Sequence, residues 1–357
     1  RHLPRRTEPP LMNAVETENL TKTYRGEAPD DGRSWGDALV GMAKRAIRPP
    51  EAKTVVDRVS LEVREGELFG IVGSNGAGKT TFLKLLSCLI YPDDGRATVN
   101  GFDLRRQRSA VRRSVVIAKA GGWMSTLWQL NGRENLLFRA RMCGLSAQEG
   151  ERRASYVLQR LELEHQAAEH SWSWSAGELQ RFSLGLCFIA RTPVVMLDEP
   201  TSHLDPHVAR LIREFISDDL IRDGGQTVIM STHYLEEADQ LCDRVAVFSH
   251  GRVLACDTPP ALRARYAPDR VPELWVTGYR GSVGEEIRKD PNVAELIEHF
   301  EDVATGRARL RPTWTGRPDP EALRSRLETH GVTVLEVREV EPTLDEVYVR
   351  LSRERVT

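Results

Sequence analysis

The chain has 357 residues, 40% of them hydrophobic and 29% charged, which excludes a largely disordered polypeptide and at ordinary domain sizes implies about two domains. Lysine and arginine number 50 against 52 acidic residues, a formal charge of −2 that argues against coating nucleic acid. The longest nearly apolar run, 182–190, is about half of what a bilayer span requires, so a role at a membrane calls for another chain to cross it. The five cysteines (Cys88, Cys143, Cys187, Cys242, Cys256) are odd in number and form no CxxC pair, which argues against a disulfide framework or zinc site. Residues 1–13 are expected to be a tail, with no secretory leader because Arg5-Arg6 is followed by Thr-Glu-Pro-Pro. Alternating apolar and polar residues predict strands over 15–23 and 54–63. Between them lies an insert, about 25–53, whose middle (35–48) has amphipathic helical spacing. A short apolar strand at 68–72 leads into a glycine-rich turn and a helix over 80–89, then a strand at 97–99 before the Asn100-Gly101 turn. Five arginines (Arg105, Arg106, Arg108, Arg112, Arg113) read as a solvated helix face. Residues 124–190 read as helical. Apolar runs at 194–197, 228–231 and 245–249, separated by helices, predict a parallel sheet with helical cover. Residues 267–357 read strand, helix, strand, strand, helix, strand, then a last helix: a small α+β accessory domain of the split βαβ, ferredoxin-like type.

The sharpest motif is Gly73-Ser74-Asn75-Gly76-Ala77-Gly78-Lys79-Thr80-Thr81, a complete GxxxxGK[ST] between a predicted strand and helix. Such a loop turns successive backbone N–H groups toward phosphate oxygens at a helix N-terminus, where the dipole adds positive potential. Lys79 is expected to reach the β- and γ-phosphates, and the Thr80 hydroxyl to bind Mg²⁺. A buried strand then delivers Asp198, expected to hold Mg²⁺, and Glu199, expected to orient and polarise the attacking water. His233, after another strand, is placed to sense the γ-phosphate. Asp205 alone would be a helix N-cap, and Ser175 likewise.

Taken together these residues resemble the nucleotide-binding subunits of ABC transporters, over roughly 14–266. The likeness includes Tyr24, where that family stacks an aromatic on adenine, the loop 73–81, Asp198, Glu199, Asp205 in the D-loop and His233 in the switch. The family signature LSGGQxQR stands here as Trp174-Ser175-Ala176-Gly177-Glu178-Leu179-Gln180-Arg181. The resemblance implies an α/β P-loop NTPase fold of the ABC type with a helical subdomain, and ATP with Mg²⁺ as cofactors. It also implies a second nucleotide-binding subunit, most simply an identical copy, whose Ser175, Gly177 and neighbouring Glu178 close over the ATP. A transmembrane permease would be the further partner, at the cytoplasmic face of the cell membrane, with no nucleic acid involved.

Two departures stand out. The signature carries Trp, Ala and Glu where the family has Leu, Gly and Gln, and a carboxylate at Glu178 would repel polyphosphate unless turned away. The stretch 115–123 contains no Gln, with Lys119 the only candidate phosphate contact. Gly132-Arg133-Glu134-Asn135 is similar to polysaccharide-exporter ATPases, whereas residues 341–348 resemble the tail of drug and natural-product exporters. Two alternatives stay open: a poorly hydrolysing regulatory subunit, and a soluble ABC ATPase acting on DNA or ribosomes. Against the second stand the short spacing between Lys79 and Asp198 and the single cassette.

Overall fold

The structure is a computed structural model, and it describes residues 12–25, 52–119, 126–267, 269–314 and 319–353. The amphipathic segment expected at 35–48, most of the tail, and residues 120–123 of the Gln-less stretch lie outside the described residues. The chain divides into two compact units at Cys256/Asp257.

In the first unit, β1 (Asn13–Arg25) and β2 (Ala52–Arg64) pair antiparallel. After β3 (Leu68–Val72) and α1 (Lys79–Leu86), β4 (Asp94–Val99) and β5 (Phe102–Asp103) complete a four-stranded sheet in the order β2-β1-β4-β5. The chain continues through α2 (Arg108–Ser114), β6 (Val115–Lys119), α3 (Gly132–Met142), α4 (Ala147–Arg160) and α5 (Ala176–Ala190). It returns as β7 (Val194–Asp198), α6 (Pro206–Glu214) running into a π-helical stretch (Phe215–Arg222), β8 (Thr227–Thr232), α7 (Leu235–Leu241), β9 (Arg244–Ser249) and β10 (Arg252–Asp257). The second sheet has the order β10-β9-β3-β8-β7-β6, with β9, β3, β8, β7 and β6 joined by parallel pairings.

The patterning explains the two sheets. Every residue of β3, β7 and β8 is buried, as strands covered on both faces require, whereas β2 alternates buried and exposed positions. Phe82, Leu83, Leu85 and Leu86 of α1 join one core with Leu20, Val59 and Leu61 of the antiparallel sheet and Phe69, Ile71, Met196, Ile229 and Phe248 of the parallel one. Full burial of a side chain such as Phe82 contributes about 1.5–3 kcal/mol, so this core fixes α1, and the loop before it, against both sheets. The separate antiparallel sheet was not anticipated, because its strands lie far apart in sequence.

The helix expected over 80–89 stops at Leu86, and Cys88 takes a left-handed backbone (φ 56). Arg108 Nη2 and Arg112 Nη2 donate to the Cys88 carbonyl at 2.9 and 3.1 Å. Two of the arginines expected to be solvated therefore satisfy the end of α1.

In the second unit, α8 (Pro259–Tyr266) precedes β11 (Val271–Thr277), α9 (Gly281–Arg288), β12 (Val293–Asp302), β13 (Arg307–Trp314), α10 (Pro320–Thr329), β14 (Thr333–Val340) and α11 (Leu344–Arg353). The sheet order β12-β13-β11-β14, all antiparallel, is the split βαβ arrangement. The unit starts earlier than the expected 267 because α8 packs on α11, where Arg350 Nη1 donates to the Tyr266 carbonyl at 3.3 Å.

Candidate nucleotide site

Because β3, β8 and β7 are adjacent and parallel, the segments leaving their C-terminal ends meet on one side of the sheet. β3 releases the loop 73–78, β7 ends in Asp198 and Glu199, and β8 leads to His233. This is where open α/β sheets hold ligands.

The loop depends on glycine at two places. A Cβ on Gly73 would lie 2.3 Å from the Phe248 carbonyl oxygen, and one on Gly78 would lie 2.4 Å from that of Val55, with Gly78 also at φ +103. Gly78 is the N-cap of α1 and supplies no side-chain cap, leaving the first-turn N–H groups for an external acceptor. Gly251 N donates to the Ala77 carbonyl at 2.9 Å and buttresses the loop. Lys79 is only 5% exposed, and its Nζ donates to the carbonyls of Gly73 (2.7 Å) and Ser74 (3.1 Å), 3.8 Å from Glu199 Oε1. Gly76 and Thr81 complete the loop and its helix start.

Thr80 Oγ1 donates to Asp198 Oδ1 at 2.9 Å, and Ser231 Oγ donates to the same oxygen at 2.7 Å. Glu199 has a left-handed backbone (φ 53), stabilised by its N–H on the Ser231 carbonyl (3.0 Å) and hydroxyl (3.2 Å). Ser202 Oγ donates to Glu199 Oε2 at 3.0 Å, and His233 Nδ1 stands 3.2 Å from that oxygen. Burial pushes the Glu199 carboxyl up, but the Ser202 hydroxyl, His233 and the Lys79 ammonium together hold it below its ordinary value, so it is ionised at neutral pH. Ser231 and Ser202 were missed in the sequence. Ser231 lies within the Ser-Thr-His stretch, and the signal was its position opposite Asp198 on neighbouring strands.

Among the described residues no group of three or more His, Cys, Asp or Glu could hold a metal ion. Thr80 and Asp198 offer hard oxygen donors, the kind Mg²⁺ uses when phosphates and water complete its shell, and so they fit it.

Tyr24, the last residue but one of β1, pairs with Lys53 of β2, the strand whose Val55 carbonyl closes on Gly78. Lys22 Nζ lies 5.6 Å from its ring centroid.

The remaining expected residues sit on helix starts rather than strand ends. Ser175, exposed, is the N-cap of α5 in a capping box with Glu178. Its N–H and hydroxyl donate to Glu178 Oε2 at 2.6 and 2.8 Å, and Gln166 Nε2 donates to Glu178 Oε1 at 2.6 Å. The carboxylate is thus engaged with its own helix start. Asp205 caps α6 through Val208 N at 3.0 Å. A methyl on Gly177 would meet Leu204 Cδ2 at 3.7 Å, so the two helix starts are neighbours. Trp174, in place of the family Leu, is buried edge-on against Phe182 (4.8 Å).

Fold and site together define a P-loop nucleotide-binding ATPase. A family model described as ABC transporter matches residues 56–202. The chain is similar to the daunorubicin resistance ATP-binding protein DrrA3 of Streptomyces coeruleorubidus, 34% identical over 84% of this chain and 92% of that protein. It is also similar to the Nod factor export ATP-binding protein I of Mesorhizobium japonicum, 30% identical over 98% of this chain and 95% of that one. A solved ATP binding subunit of an ABC transporter aligns with a TM-score of 0.56 at 25% identity, covering 71% of this chain and 93% of that one. The chain belongs to the ATP-binding subunits of ABC transporters, and it is an ATPase of that type.

Proposed function

We propose that this chain powers an exporter of drug-like, lipid-like or natural-product molecules by closing as a dimer of identical copies around two ATP and reopening on hydrolysis. The observation that carries the chemistry is the convergence of Lys79, Asp198, Glu199 and His233 at adjacent strand ends, with Glu199 3.8 Å from Lys79 and 3.2 Å from His233. The loop amides and Lys79 bind and neutralise the β- and γ-phosphates, and Tyr24 stacks on adenine. Mg²⁺ held by Thr80 and Asp198 supplies charge neutralisation on the phosphate oxygens. Glu199, ionised and fixed by Ser202 and Ser231, orients and polarises the attacking water, and His233 reads the γ-phosphate from beside it. Water attacks the γ-phosphorus, the β–γ bridging bond breaks, and ADP leaves with its oxygen.

The helix starts at exposed Ser175, half-buried Gly177 and exposed Asp205 are the surface expected to cover the other copy's nucleotide, with Glu178 turned toward Gln166 rather than toward phosphate. No helix among the described residues is long and apolar enough to cross a membrane. The partner in transport is a separate transmembrane permease, with this chain at its cytoplasmic face. The drug-resistance relative supports a drug-like or natural-product substrate. The glycoconjugate reading rests on residues 132–135, which do structural work here. Glu134 completes a capping box with Asn131, and Asn135, 4% exposed, bonds the backbone of Leu127, Leu130 and Asn131.

The test is steady-state ATPase with Mg²⁺ on the purified full chain and on Glu199→Gln. The variant is expected to bind ATP, persist as a dimer by light scattering and lose turnover; parental turnover in it refutes the assignment. Affinity recovery of the chain from solubilised membranes is expected to bring down a multi-span protein, and recovery without one refutes the partner.

A further inference from the structure

Behind the strand ends sits a carboxyl that the chemistry above does not use. Glu237, in the first turn of α7, is 5% exposed, and Thr201 Oγ1 donates to its Oε1 at 2.6 Å. Thr201 is itself buried, two residues after Glu199 and next to Ser202, whose hydroxyl holds the Glu199 carboxylate. On its other flank, Glu237 stands four residues after His233. There the Thr232 hydroxyl accepts the Tyr234 N–H at 3.0 Å, shaping the turn that carries the imidazole, and also lies near the Glu237 carboxyl. Burial pushes this carboxyl up, and the Thr201 and Thr232 hydroxyls only partly pull it back. Its second oxygen, Oε2, is buried with no hydrogen-bond partner. A group of this kind is costlier to fold than an aliphatic side chain of similar volume, so packing alone does not account for it. It supplies a short, rigid tie between the turn after Glu199 and the turn after β8.

We propose that Glu237 is a positioning residue for ATP hydrolysis: through Thr201 it locks the 199–202 turn to the start of α7, so that Glu199 and His233 keep their mutual placement. The inference rests on the roles proposed above for Glu199 and His233. Misplacing a base by a fraction of its reach lowers the chemical step without changing how the phosphates are gripped, and here the grip belongs to Lys79, Gly73 and Gly78.

The experiment compares Glu237→Ala, Glu237→Gln and Thr201→Val in the full chain by steady-state ATPase, thermal melting and amide hydrogen exchange. Glu237→Ala is expected to lower kcat by at least about tenfold while KM for ATP stays within about twofold, the mark of a group acting on the transition state. Glu237→Gln, which keeps an acceptor for Thr201, is expected to restore kcat to within about threefold of the parent. Thr201→Val, which removes one hydroxyl and keeps the volume, is expected to match Glu237→Ala, and the double variant to be no slower than the slower single one. The Ser202 amide, bonded to the Glu199 carbonyl at 3.3 Å, is expected to exchange faster in Glu237→Ala and Thr201→Val than in Glu237→Gln. Parental kcat in Glu237→Ala or Thr201→Val, or a Gln variant as slow as Ala at equal melting temperature, overturns the proposal. Turnover in Glu199→Gln would instead overturn the reading beneath it, so the two failures are distinguishable.

Discussion

Replacing Lys79 by Ala tests the phosphate cradle most directly, and two opposing effects must be separated. In the protein without nucleotide, the Lys79 ammonium is tied to the Gly73 and Ser74 carbonyls and faces Glu199 at 3.8 Å. Removing it frees the fold of a buried ammonium but takes a donor from two loop carbonyls. Each deprived carbonyl costs about 1–3 kcal/mol if it stays shut from water, and relief of the buried charge offsets part of that. In the proposed cradle, ATP would draw the same ammonium from those carbonyls to oxygens of two phosphates. Charge-assisted bonds contribute about 1.5–3 kcal/mol each, so losing the two on binding costs about 3–6 kcal/mol. At 1.4 kcal/mol per decade, that corresponds to ATP binding weakened by about 10²- to 10⁴-fold. The binding effect therefore exceeds the folding effect. Titration calorimetry of ATP–Mg²⁺ into parent and variant reads the first, and a thermal melt without nucleotide reads the second. ATP is expected to raise the parent's melting temperature and to leave the variant's almost unmoved. A dissociation constant within about threefold of the parent, with the melt unchanged, would refute the cradle as the source of affinity.

Other perturbations probe separate parts of the site. Tyr24→Ala is expected to weaken ATP by about 1–3 kcal/mol, roughly 5- to 150-fold, while affinity for inorganic triphosphate stays the same, since stacking involves only the base; equal ATP affinity would leave Tyr24 as a packing residue. Thr80→Val keeps the volume but removes the hydroxyl that meets Asp198 at 2.9 Å, so the Mg²⁺ concentration needed for half-maximal turnover is expected to rise, and an unchanged requirement removes Thr80 from the metal site. Away from the site, the Tyr156 phenol donates to the buried Asp219 carboxylate, and that bond, with burial, pushes the phenol up to about 12. Its folded-state value exceeds the ordinary 10.0, so the stabilisation is complete below pH 10 and disappears as pH rises toward 12. The difference at 295 nm between parent and Tyr156→Phe is expected to show ionisation near 12, and a phenolate appearing near 10 contradicts the buried bond.

How far the sequence reached depended on whether the signal was local. The phosphate loop, the acid pair after β7 and the histidine after β8 are each announced by a few consecutive residues, and the structure draws them to one end of the parallel sheet. The βαββαβ order of the second unit could be read for the same reason, since each strand and helix carries its own periodicity. The features that escaped were non-local. The pairing of β1 with both β2 and β4 closes across long stretches of chain, and nothing in the short strand at 94–99 names its partner. Arg108 and Arg112 looked like solvated charges because the carbonyl they satisfy belongs to Cys88, twenty or more residues back. Ser231 and Ser202 carry no motif of their own, and their part emerges only when Asp198 and Glu199 lie beside them.

The altered signature shows how a local reading and a family reading can both apply. Seen as a helix start, Ser175 and Glu178 are a complete capping box, and the Glu side chain satisfies the backbone N–H that a helix N-terminus would otherwise leave without an acceptor. Seen as a nucleotide-facing turn, the same carboxylate looks like a liability, because a negative charge beside a polyphosphate raises the free energy of the closed state. The geometry reconciles the two. Glu178 accepts from Ser175 N, the Ser175 hydroxyl and Gln166 Nε2, so its charge is spread over three donors and drawn toward the positive end of α5. The Ser175 hydroxyl, however, is engaged as a donor to that carboxylate at 2.8 Å, and to meet a phosphate it must rotate away. The cost of the substitution therefore falls on the availability of one hydroxyl proton more than on charge repulsion, and the helix-start N–H groups around Ala176 and Gly177 become the main donors this face can offer to a nucleotide.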